Sequence, residues 1–147
     1  MSKNLRAESN TQTYITGITA LNILWPDRPA ADWHTLGLAN VFAWSWAGQQ
    51  LMSTEHLLGD QDLYEATSIL RCYAPETPEG MLAASYQRAV FDLLYSSAIK
   101  RKPVGNIQAA DIDDAVDFGL VIRWIESLDP LPAEVRNKML AWLRADC

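Results

Sequence analysis

Cysteine is almost missing from this chain, with only Cys72 and Cys147 among 147 residues. Cys72 falls inside a helical apolar pattern and Cys147 is the final residue, so no structural disulfide is expected and a reducing, cytoplasmic setting is. Histidine is equally scarce, being limited to His34 and His56. A zinc centre needs three or four ligands at workable spacing, and no CxxC or HxxxH pairing exists here, so no metal site is expected. The seven glycines are scattered, which excludes a P-loop or dinucleotide-type phosphate cradle. No nucleophile elbow or Gly-rich oxyanion turn accompanies any serine. No catalytic residue and no cofactor are therefore expected. Long apolar runs are missing too: nothing approaches the ~18 consecutive residues of a membrane span, and MSKNLRAESNTQT has no signal-peptide core. Basic residues are outnumbered, 12 Lys and Arg against 18 Asp and Glu, for a net charge of −6. That field repels phosphate backbones and attracts a basic protein partner.

What is present is enough apolar material, 49% of the residues, to bury a core in one domain spanning 1–147. Residues 1–12 read as a polar tail, 13–50 as an aromatic N-terminal part and 57–147 as a helical part. The fold class is mainly α, a single-domain helical bundle whose N-terminal part is either strand or helix. Asp60 to Tyr73 spaces Leu63, Ala66, Thr67 and Leu70 as a short helix ending before Pro75. Thr77-Pro78-Glu79 has the cap, first-turn proline and acid of a second helix start. Its stripe runs Leu82, Tyr86, Ala89/Val90, Leu93/Leu94 and Ser97 into the basic turn Lys100-Arg101-Lys102. A third helix opens among Asp111, Asp113, Asp114 and Asp117, whose charges suit a helix N-terminus, and carries Ile112, Val116, Leu120/Val121, Trp124/Ile125 and Leu128 on one face. The last begins at Pro132, with Leu131 placed to staple onto Val135 and a stripe of Val135, Met139 and Trp142/Leu143.

The N-terminal part is where aromatics concentrate. Four of the six tryptophans, Trp25, Trp33, Trp44 and Trp46, fall between positions 25 and 46. "YITGITALNILW" fits a short strand or a buried helix. Phe42, Trp44 and Trp46 alternate as a strand face would, while Leu38, Phe42, Trp46 and Gln49 also stack at helical spacing. Between them Pro26 and Pro29 force a turn that leads into Asp32-Trp33-His34. Core packing explains such indoles in part. Yet each carries an N–H that needs a partner, and Trp dominates interface hot spots. Asp32 is placed to cap the next element, or to orient His34 in a polar contact site.

The stretch "ITALNILWPDRPAADWHTLGL" resembles small uncharacterised bacterial proteins associated with toxin–antitoxin loci, in which Gly-Asp-Trp-His takes this place; here Ala31 stands at the glycine. "AVFDLLYSSAIKRKPV" and "VIRWIESLDPLPAEVRNKMLAWL" are similar in style to the same group. The resemblance implies an antitoxin-like module that binds and neutralises a cognate toxin without turnover. Its expected contact residues are Trp25, Asp32, Trp33, His34, Trp44 and Trp46, and its expected partner is a basic protein, with neither a membrane nor direct nucleic-acid binding by the monomer. The alternative is a small enzyme or ligand-binding protein that uses Asp32 and His34 in an aromatic pocket.

Overall fold

A computed structural model describes residues 13–21, 23, 45–48, 51–72, 75, 77, 79–101 and 115–144. In chain order these form α1 (Gly17–Leu21), α2 (Glu55–Leu58), β1 (Leu63–Glu65), α3 (Thr67–Leu70), β2 (Leu82–Ala84), α4 (Tyr86–Lys100), α5 (Phe118–Ser127) and α6 (Ala133–Arg144). Helix dominates, beside one small antiparallel sheet.

The centre is α4. Apolar side chains lie on nearly all of its faces, and residues from Tyr86 to Ala98 are buried on every side of the helix. That is the pattern of a core helix, not a surface one. Ser85 caps it, its side chain accepting from the Arg88 N–H at 3.1 Å. At the other end Arg101 takes a left-handed conformation, φ 57°, and its N–H returns to the Ser97 carbonyl. Against α4 pack α5 and α6, which also pack on each other. Asp117 caps α5 by accepting from the Leu120 N–H at 3.1 Å, so this one aspartate of the acidic run does what a helix start requires. Asp111, Asp113 and Asp114 lie outside the described residues. Leu131 and Val135 are both buried at the start of α6, as a hydrophobic staple would have them. The turn between the two helices is held by Arg136, whose guanidinium donates to the carbonyls of Ile125 (3.0 Å) and Leu128 (2.7 Å). Trp124 lies in the core, edge-on to Phe91, and half-buried Trp142 meets Phe118 edge-on.

Three helix expectations need correction. The helix expected to open within the acidic run starts only at Phe118, after its cap Asp117, so Val116 precedes it and is no part of its stripe. Asp60–Tyr73 is not one helix: it comprises a turn, strand β1 and the single helical turn α3. Asp62 has φ 60°, which a continuous helix cannot contain. The helix expected from Thr77 starts only at Tyr86, because Leu82–Ala84 pair with β1 in the register Leu63↔Ala84, Tyr64↔Ala83 and Glu65↔Leu82. The named sheet thus falls within the part read as wholly helical.

The N-terminal part joins that sheet. Ile15 bridges Ala83 in parallel on one side and Trp46 antiparallel on the other. Backbone bonds from Ile15 N to Leu82 O (3.0 Å), Ala84 N to Ile15 O (2.8 Å), Thr16 N to Ser45 O (3.0 Å) and Ala47 N to Tyr14 O (2.9 Å) make the connection. "YITGITAL" is therefore strand-like and helical in succession. The switch is Gly17, at φ +64°, whose absent Cβ would lie 2.5 Å from Leu51 Cδ1. Only glycine meets both demands without strain. Of the alternating aromatics, Trp46 is in extended pairing, and Phe42 and Trp44 lie outside the described residues.

Candidate functional site

Two charges sit one turn apart on the middle of α4. Arg88 and Asp92 are both completely buried, with Nε and Oδ1 3.7 Å apart. Burying either charge alone is prohibitive, so each must be met by polar partners. The partners come from three distant stretches. Tyr14 and Thr16 each donate their hydroxyl to Asp92 Oδ2 at 2.7 Å. Thr54 donates to Oδ1 at 2.6 Å. On the cation side, Arg88 Nε donates to Thr54 Oγ1 (3.1 Å) and Nη2 to the Tyr14 hydroxyl (3.1 Å). Nη1 donates to the carbonyls of Gly59 (3.1 Å) and Gln61 (2.6 Å), in the turn after α2. The guanidinium also lies over the Tyr14 ring, 5.0 Å from its centroid, a cation–π contact inside the core.

Burial pushes the Asp92 carboxyl above its ordinary range, while Arg88 and the hydroxyls of Thr54, Tyr14 and Thr16 pull the other way. The Arg88 guanidinium and three hydroxyls gathered on the two Asp92 oxygens suit the carboxylate form. Burial, and next the Asp92 charge, push the Tyr14 phenol well above its ordinary value. It is therefore a neutral donor at physiological pH. Every reactive atom in this cluster is shut away from solvent and spent on holding another segment.

A second feature concerns the aromatic stretch. Ile23 is fully buried, and its carbonyl accepts from the Tyr86 hydroxyl while its N–H donates to Ala20 O at 3.2 Å. Ser45 N–H donates to Thr19 Oγ1 at 2.7 Å, and Ser45 O accepts from Thr16. Ile23 and Ser45 are thus both tied to groups in or beside the same short helix, α1: Ile23 through Ala20, and also through the buried Tyr86, and Ser45 through Thr16 and Thr19.

The expected contact residues separate on this structure. Trp46 is 0% exposed. As a core side chain it is no part of an exposed anchor set in the folded chain, and its backbone bridges Ile15. Trp25, Asp32, Trp33, His34 and Trp44 lie outside the described residues. His56 is exposed on α2, its ring edge-on to Tyr95 and its Nε2 3.4 Å from the Tyr95 hydroxyl. Desolvation raises the Tyr95 phenol above its ordinary value. Cys72 is exposed, its thiol near the Ser68 carbonyl. Among the described residues, no group of three or more His, Cys, Asp or Glu converges to hold a metal ion, and no helix is long and apolar enough to cross a membrane.

Reading the sequence by stripes passed over Arg88 and Asp92. The available signal was that "RAVFD" carries the only two charges between Tyr86 and Ile99, spaced i to i+4, within an otherwise apolar helix. Comparison with family models, with curated proteins and with solved structures finds no match to this chain.

Proposed function

We propose that the protein is a non-catalytic protein-binding module of the antitoxin type, which works in the cytoplasm by occupying a basic partner protein. The contact set in this reading is Trp25, Asp32, Trp33, His34 and Trp44. The reading takes the fold to be a single-domain helical bundle, which the packing of α4, α5 and α6 on one another supports. The observation that carries the reading is the double anchorage at Ile23 and Ser45. A tryptophan-rich stretch with both ends tied to a buried core has less freedom to lose on association than a free tail. Two further observations support it. The net charge of −6 favours encounter with a basic protein. Arg101, in the basic turn after α4, is paired with Glu134 at 3.6 Å and so adds little to a phosphate-binding patch.

The test begins with co-purification from the native host, identification of the bound protein by mass spectrometry, and calorimetric titration of the isolated pair. Trp33→Ala is expected to weaken binding by about 2 kcal/mol or more, the loss typical of a tryptophan hot spot, with the thermal midpoint of the free protein unchanged. Equal affinity in that variant overturns the proposal. So does turnover of a small molecule that disappears in His34→Ala.

A further inference from the structure

The hydroxyl protons of the buried cluster can be counted. Tyr14 and Thr54 each own one, and each gives it to Asp92. Their oxygens must then accept from Arg88, as the 3.1 Å contacts from Nη2 and Nε show. The 3.1 Å approach between the two hydroxyl oxygens is left with no proton of its own. Thr16 likewise spends its proton on Asp92. Each donor thus has one direction, and the loss of any hydroxyl leaves part of a buried charge unmet. The bonds join stretches 27 to 78 residues apart in sequence. None reaches α5 or α6, whose buried residues are apolar.

From this geometry we infer that Tyr14, Thr16, Thr54, Arg88 and Asp92 form an all-or-none latch. It docks residues 14–16, the pairing segment at 45–47 and the 51–61 stretch on α4 as one unit, which opens separately from the α4–α5–α6 packing. Partial opening is disfavoured because it strands a charge in an apolar interior. Opening of the whole unit exposes both charges to water together. The α5–α6 contacts are non-directional and do not depend on the latch. This is a conformational device, and it stands apart from the binding proposal: it requires no partner.

Native-state hydrogen exchange on the full chain tests it. The amides of Ile15, Ala84 and Met52, each in a bond that crosses the edge of the unit, to Leu82 O, Ile15 O and Ser96 Oγ, are expected to exchange with one shared opening constant, faster than Ile125 and Leu140 in α5 and α6. Thr16→Val keeps the shape and removes one donor to the carboxylate. It is expected to speed exchange at all three amides by a common factor of roughly tenfold or more, leave Ile125 and Leu140 slower, and be reversed by Thr16→Ser, which restores the hydroxyl. Unequal factors confined to Ile15 and its partner Ala84 would show independent bonds and overturn the latch. Equal acceleration of Ile125 and Leu140 would show only global unfolding, and would overturn it as well. Should Asp92→Asn fail to fold, the Thr16 pair still decides.

Discussion

The face of α4 that meets the N-terminal strand and the region where α5 and α6 pack against α4 are held by opposite means. On the first, a buried Arg–Asp pair and three hydroxyls specify one arrangement. On the second, Val121, Ile125, Val135, Met139 and Leu143 bury apolar surface, and Arg136 secures the turn through backbone carbonyls. Hydrophobic burial supplies stability without caring about direction. A buried ionic network supplies little net stability but makes every alternative register costly. The division is sensible where the chain brings three distant segments to one helix, because short strands such as β1 and β2 carry few ladder bonds to fix their own register.

The comparison breaks most sharply at its charges. Asp92→Asn or Arg88→Met is expected to destabilise by about 3–5 kcal/mol, as each leaves a lone buried charge. The double change Arg88→Met with Asp92→Asn should cost clearly less than the two singles together, as measured by urea denaturation and a double-mutant cycle. A double variant as damaged as the sum of the singles would place the two residues in separate roles. On the apolar side, Ile125→Ala is expected to cost about 3 kcal/mol through lost burial and the cavity it leaves, without the non-additivity of the charged pair.

Gly17→Ala should lose roughly 2 kcal/mol, since a left-handed backbone and the close Leu51 methyl both oppose a side chain; thermal denaturation would record it. Asp117→Ala removes a cap alone, and about 1 kcal/mol is expected. A pH series sharpens the contrast at no cost to neutral-pH stability. Tyr14 ionises above its ordinary value in the folded state, so its contribution is intact below about pH 10 and is lost as the pH rises toward the folded value. Between pH 8 and strongly alkaline conditions the wild type should therefore lose stability relative to Tyr14→Phe. Parallel curves for the two proteins would mean that the phenol is not held neutral by its surroundings.

Much of the second half was legible from local pattern. The stripe through Val121, Trp124 and Ile125 and the Leu131–Val135 pair follow from periodicity and helix-end chemistry, which depend on residues only three or four apart, whereas the helix start did not, because four aspartates suit a helix N-terminus equally and only Asp117 caps it. The strands were not legible. Leu63–Glu65 and Leu82–Ala84 are three residues each, too short for an alternation to rise above helical spacing, and they are extended because they find each other and Ile15. The fate of Trp46 was equally non-local: an aromatic that composition alone makes a fair interface anchor is fully buried, its backbone paired with a residue 31 positions away.

By itself, then, the sequence determined the helix-dominated class, the net negative charge, and the apolar faces of α5 and α6, because composition and short-range spacing carry that information. The tertiary structure alone decided that Arg88 and Asp92 are interior charges, that Tyr14, Thr16 and Thr54 are their partners, and that Gly17 turns strand into helix. A buried ion is tolerable only when groups from remote segments converge on it, and no local window of sequence records which segments those will be.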